Sequence, residues 1–198
     1  MRSSTHRFSL RPIALALVGA LLIGTVGLVG CSNTNGGGGQ NGSGASVETT
    51  QGQFPADRPN PAQAPPPPML RTPETAVYSY LLWISYAYRV LDSNVATLTF
   101  SPYEEVRVDS YVQLNRQEGR AIDQRLLELK IKSVASTGTT ATVAARESWA
   151  YRYIDMATVK YKSATLKASY DSTYTVVKGN TGWVVDSVKA KSVGGSPK

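Results

Sequence analysis

The C-terminal half of the chain alternates apolar and polar residues, and this pattern limits the possible folds more than any other feature. Residues 140–154, 164–177 and 183–192 each place apolar or aromatic side chains at alternating positions. A shorter stretch around Leu129 does the same, and residues 179–182 have the composition of a tight turn. A period of two predicts half-buried strands, and short turns between consecutive strands predict an antiparallel meander.

Two segments before these strands have the spacing of helices. In the first segment, five apolar residues recur at intervals of three and four, and such residues share one helical face. They are Val77, Leu81, Ile84, Tyr88 and Leu91. Thr72 and Pro73 supply an N-cap and a proline at the first helical position. Ser101 and Glu104 have the spacing of a capping box, which predicts a second helix that ends near Gly119.

The order of these elements predicts the fold class. Helices that come first and strands that follow predict an α+β domain over residues 72–193, with the two helices packed on one face of a curved sheet. The expected shape is cone-like. Residues 194–198 form a short polar tail that we expect to be disordered.

The first thirty residues have the composition of a secretory signal peptide. Residues 1–12 carry three arginines and no acidic residue, and residues 13–30 are uncharged and mostly apolar. The segment ends in a lipobox-like sequence, Leu28, Val29 and Gly30, followed by Cys31. This end resembles bacterial lipoproteins, which implies a thioether-linked lipid on Cys31, cleavage before that cysteine and acylation of the new amino group.

An uncleaved transmembrane anchor is the alternative for residues 13–30, because eighteen uncharged residues are just long enough to span a bilayer. Both interpretations place the rest of the chain outside the cytoplasm. The expected location is the cell membrane or the outer membrane, on its extracytoplasmic face. The predicted partners therefore begin with the membrane itself, through the lipid anchor.

Residues 31–71 have the composition of a linker. Their first part is rich in glycine, asparagine and serine, and their second part is rich in proline. Because neither part has an apolar face to bury, we expect the whole segment to be disordered.

The residue counts exclude several kinds of site. The chain has one cysteine and one histidine, so we expect neither an internal disulfide nor a Cys/His metal site, and no cofactor. Three of its 21 basic residues precede Cys31, which leaves 18 basic against 14 acidic residues in 32–198, a net charge of +4. A mildly basic chain without a groove-reading motif is not expected to bind nucleic acid.

Three stretches carry a resemblance to known proteins. They read ATVAARESWAYRY, YDSTYTVV and GWVVDSV, and they follow the two predicted helices. This arrangement resembles the nuclear transport factor 2-like (cystatin-like cone) superfamily. More narrowly, it is similar to the intermembrane-space domain of plastid and cyanobacterial division proteins. The resemblance covers about residues 75–193 and implies a curved sheet that closes around a pocket.

The residues that we expect to line this pocket are mostly aromatic. They are Tyr80, Trp83, Glu147, Trp149, Tyr151, Tyr170 and Tyr174. Enzymes of the superfamily resemble ketosteroid isomerases or polyketide cyclases, which would make Glu147 a general base. A β-bulge that turns Glu147 outward to pair with Lys167 is the alternative.

We expect a binding role without catalysis. The candidate partners are an envelope protein or a second copy of the chain, through the open sheet face, and a small apolar ligand held by the aromatic residues. An enzyme that uses Glu147 and a carrier of such a ligand are the two alternatives.

Overall fold

The computed structural model describes residues 54–194. Two α-helices and five strands follow one another, with a 3-10 helix between the helices. Their bounds are α1 Pro73–Val90, the 3-10 helix Ser93–Thr99, α2 Pro102–Gln117, β1 Arg120–Thr137, β2 Thr140–Asp155, β3 Lys160–Tyr161, β4 Leu166–Gly179 and β5 Gly182–Gly194. The α+β prediction is confirmed. The predicted signal peptide, the lipobox and Cys31 lie outside the described residues.

The strands form one antiparallel sheet in the order β1-β2-β4-β5, and the short β3 pairs with the end of β2. β1 is longer than the sequence predicts, because it begins directly after Gly119. Register shifts at Leu127 and Lys132 put two bulges in β1. A bulge bends a strand and increases its twist, which helps the sheet to curve around the helices.

Helix α1 packs on the inner face of the sheet. The Thr72 side chain accepts a hydrogen bond from the backbone N–H of Thr75, and the helix ends at Leu91 in a left-handed conformation. All five residues of its predicted apolar face are buried. The interval pattern therefore located both the helix and its buried side.

Helix α2 begins at the predicted residue but uses its glutamate differently. Ser101 is the N-cap, and its hydroxyl accepts from the backbone N–H of Glu104 at 3.4 Å. The predicted capping box is wrong in its second half, because the Glu104 side chain turns into the core and is only 2% exposed. The Ser101 hydroxyl also donates to Asp186 of β5 at 2.7 Å, which anchors the helix start to the sheet.

Residues 54–71, which we call the strap, lie along the domain and contact it. The predicted disorder of residues 31–71 is therefore wrong for this part of the segment. At least seven backbone carbonyls of the strap accept hydrogen bonds from groups of the domain. The pairs are Arg152 to Pro55 and Ala56, the Tyr161 backbone to Asp57, Arg89 to Asn60, Trp83 to Pro66, Ser79 to Met69 and the Trp183 backbone to Leu70.

The strap is held through its backbone at both ends, which explains why its composition did not reveal it. The Trp183 N–H donates to the Leu70 carbonyl at 2.8 Å, and Leu70 packs against the core. At the other end, Arg152 donates to the Pro55 carbonyl at 3.0 Å, and the Phe54 ring meets the Tyr161 ring edge-on at 5.9 Å. Every residue type carries a carbonyl, so a proline-rich segment can be fixed without an apolar face of its own.

Within residues 54–194, neither α-helix is apolar and long enough to span a membrane.

Candidate functional site

A buried carboxylate joins the two helices. Tyr80 of α1 donates to Glu104 of α2, and the Arg107 Nε lies 2.9 and 3.0 Å from the two Glu104 oxygens. The Arg107 Nη2 also donates to the Tyr80 hydroxyl at 2.6 Å. Burial raises the pKa of Tyr80, so this phenol stays protonated and donates. Sequence reasoning missed this triad because it assigned Glu104 to the helix cap.

Glu147 of β2 lies in a second buried group. Its Oε1 accepts from the Tyr174 hydroxyl, and its Oε2 accepts from the Trp149 indole N–H at 2.8 Å. Glu147 is 5% exposed, and burial together with the neighbouring carboxyl group raises the pKa of Tyr174. The outward alternative is wrong: the bulge lies in β1 at Leu127, and β2 keeps its alternation through Glu147.

The two buried groups are joined by an aromatic contact. The rings of Tyr80 and Tyr174 meet edge-on, with centroids 6.3 Å apart. Four of the seven predicted pocket residues are thus brought together: Tyr80, Glu147, Trp149 and Tyr174. Each oxygen of Glu147 already accepts a hydrogen bond from a neighbouring side chain. This is the usual arrangement of a buried polar group in a protein core, and it is less typical of a general base.

The other three predicted residues take no part in these hydrogen bonds. Trp83 is on the flank of α1, where its indole N–H donates to the Pro66 carbonyl of the strap at 3.2 Å. The Tyr151 ring meets the Tyr153 ring edge-on at 5.9 Å. Tyr170 is the register partner of Glu147 in β4 and is half-buried. Trp83 therefore binds the strap and does not share a site with Glu147.

Four partly exposed tyrosines of α2, β2 and β4 are close enough to interact electrostatically. They are Tyr111, Tyr151, Tyr153 and Tyr170. Burial and the other three phenols raise the pKa of Tyr151 to about 12. Two residues along β4 from Tyr170, the Ser172 hydroxyl is buried and lies close to the Tyr174 hydroxyl. A small apolar ligand held by the predicted aromatic residues stays a prediction.

A groove of about 660 Å³ runs between α1, β1 and the strap. Its walls are α1, from Tyr78 to Arg89, and the strap, from Asn60 to Pro65; its floor is Asp123–Leu129 of β1. None of the seven predicted pocket residues lines this groove. The sequence contained no signal for it, because one wall belongs to a segment that was predicted to be disordered.

Metal ligands are not concentrated anywhere in the described part of the chain. Residues 54–194 contain no group of three or more histidine, cysteine, aspartate or glutamate side chains that could hold an ion. Glu104 and Glu147 instead accept hydrogen bonds from tyrosine, tryptophan or arginine side chains.

Comparison with solved structures identifies the fold. The intermembrane-space region of the chloroplast protein ARC6 superposes with a TM-score of 0.51 at 20% identity, over 64% of this chain and 99% of that chain. This chain shares the fold of that region, the α+β fold that the sequence resemblance predicted as a cone. At this level of identity, the likeness shows the fold alone. The sequence matches no protein-family model, and no curated protein matches it.

Two bacterial structures resemble the cone domain more distantly. A ketosteroid isomerase-like protein from Erwinia carotovora atroseptica has a TM-score of 0.40 at 18% identity, over 61% of this chain and 93% of that one. A nuclear transport factor 2-like protein of unknown function from Shewanella oneidensis has a TM-score of 0.38 at 15% identity, over 60% and 98%.

Proposed function

We propose that this chain is a lipid-anchored lipoprotein of the cell envelope whose cone domain binds another envelope component and catalyses no reaction. The tether rests on the sequence from Leu28 to Cys31. The observation that carries the non-catalytic role is the occupation of both Glu147 oxygens, by Tyr174 and by Trp149. A general base needs a lone pair within reach of the proton that it removes, whereas this carboxyl group is only 5% exposed and each of its oxygens already accepts from a neighbouring side chain.

Replacement of Cys31 by alanine is expected to abolish lipid incorporation and to change how the chain is held at the membrane. A lipobox needs the thiol for its thioether, and two or more acyl chains bind a membrane stably whereas one does not. The measurement is labelling of cells with an alkyne-bearing palmitate, followed by carbonate extraction of the membranes. Ser32→Ala, one residue further on, is the control and should label as the wild type does.

An unlabelled wild-type chain that resists carbonate extraction would instead mean that residues 13–30 remain as a transmembrane anchor. In that case the lipoprotein part of the proposal fails, while the binding role of the cone domain is untouched.

Replacement of Glu147 by glutamine is expected to lower the free energy of unfolding by about 1–2 kcal/mol and to leave partner binding intact. The amide cannot accept at both positions, so one buried donor loses its partner. Urea unfolding measures the first effect, and in-cell cross-linking to envelope proteins measures the second. Glu128→Gln, at an exposed position of β1, is the control for stability. An unchanged fold with lost biological activity would favour the isomerase- or cyclase-like alternative.

A further inference from the structure

The floor of the groove is the edge of a strand. Asp123–Leu129 all line it, although successive side chains of a strand point to opposite faces. A groove lined by consecutive residues therefore runs along the edge of β1 and not across a face. β2 is the only strand paired with β1 in the part of the chain that the structure describes. This edge offers backbone donors and acceptors to an added strand.

The strap stands beside this edge without pairing with it. Its groove wall contains Pro61 and Pro65, and proline has no N–H to donate to a β-ladder. The strap is fixed at both ends of this wall: Arg89 donates to the Asn60 carbonyl at 2.9 Å, and Trp83 donates to the Pro66 carbonyl at 3.2 Å. The strap therefore borders the edge of β1 without forming a β-ladder with it, and the space between them stays open.

The opposite wall defines the side chains that fit. Tyr78, Leu82 and Tyr86 of α1 present an aromatic and apolar surface to the groove. The seven β1 residues of the floor span about 23 Å, so the groove is long enough for an extended peptide of about seven residues. On either side of the bulge at Leu127, a strand laid along β1 would turn every second side chain toward α1.

The charges differ between the two ends of the groove. Arg89 and Arg125 line one end, together with the Asp123 carboxylate. That carboxylate accepts from the Tyr161 hydroxyl at 2.5 Å and lies 3.9 Å from the Arg89 Nε. Two guanidinium groups against one carboxylate make this end net positive, whereas Glu128 is at the other end.

We propose that the edge groove binds an extended segment of a partner protein, which adds to β1 as a further strand. The segment lacks proline, places apolar side chains at alternate positions facing α1, and carries an acidic side chain at the end beside Arg89 and Arg125. The backbone ladder gives affinity, and the alternate side chains give selectivity. This inference rests on the proposed binding function and assigns it a surface and a class of partner.

The test is selection of binders from a random heptapeptide library on the full-length chain, purified in detergent. Enriched peptides should be free of proline, with alternating apolar residues and an acidic end. Leu127→Arg should weaken the binding of a selected synthetic peptide about tenfold or more. Leu114→Arg on α2 is the matched control, since the two leucines are 43% and 44% exposed, and it should leave the affinity unchanged. Methylation of alternate peptide nitrogens should weaken binding about as much, because it removes ladder donors.

Several outcomes would overturn the inference. Peptides whose binding responds to Leu114→Arg but not to Leu127→Arg would place the binding surface elsewhere. Binding that tolerates N-methylation would exclude strand addition. A dimer that Leu127→Arg dissociates would make a second copy of the chain the occupant. If no peptide is enriched while cross-linking in cells still finds an envelope partner, the groove assignment fails and the binding function stands; if cross-linking finds none either, both fail.

Discussion

Replacement of Glu104 by alanine is expected to lower the free energy of unfolding by about 2–4 kcal/mol. The Tyr80 hydroxyl, on a residue that is 1% exposed, loses its acceptor, which costs about 1–3 kcal/mol. The cavity left by the side chain adds to this cost. Arg107 contributes less, because its side chain is 53% exposed and returns to water when its partner is removed.

Urea unfolding checks this prediction. Glu105→Ala is the control, because it removes the neighbouring carboxylate of the same helix turn, which is more exposed. A double-mutant cycle with Tyr80→Phe should show that the two positions are coupled by roughly 1 kcal/mol or more. An equal loss of stability for Glu104→Ala and Glu105→Ala would contradict a structural role for the buried triad.

Replacement of Gly182 by alanine is expected to detach the C-terminal end of the strap and to lower the free energy of unfolding by about 2–3 kcal/mol. A Cβ atom at this position would lie 2.4 Å from the Leu70 carbonyl oxygen and 2.7 Å from the Leu70 Cβ. The carbonyl oxygen is a backbone atom and the Cβ is bonded directly to the backbone, so neither can turn away and the strap must move. The hydrogen bond from the Trp183 N–H to the Leu70 carbonyl is then lost, and the positive φ of 133° adds strain.

Hydrogen exchange at the Trp183 amide, together with urea unfolding, measures this effect. Gly138→Ala separates the two causes, because Gly138 also has a positive φ, of 66°, but a Cβ added there would have no atom within 4 Å. It should cost about 1 kcal/mol and leave the Trp183 amide protected. Unchanged exchange at Trp183 in Gly182→Ala would mean that the strap is not held there.

Most of the fold could be predicted because its signals are local. The interval pattern of α1 identified its five buried residues, and the period of two located β2, β4 and β5 to within a few residues. The beginning of β1 was missed, because its first residues, from Arg120 to Arg125, have no clear alternation. Their burial comes from packing against α1 and the strap, which no local pattern records.

The candidate site was predicted only in part. Alternation along β2 and β4 correctly placed Glu147, Trp149 and Tyr174 on the buried side of the sheet. Trp83 was assigned to the same pocket, although helical spacing puts it on the flank of α1. The partner that Trp83 binds is a carbonyl of Pro66, and a backbone acceptor cannot be recognised from a residue type.

The sequence by itself determined the α+β class and the buried face of α1, since each follows from a periodicity within one segment. It left the direction of Glu147 open between the inner face and an outward turn. Only the tertiary structure decided the position of the strap, the inward turn of Glu104 and the open edge of β1. Those three features depend on contacts between residues far apart in the chain, such as Leu70 with Trp183 and Tyr80 with Glu104. Their geometry exists only once the helices, the sheet and the strap have packed together.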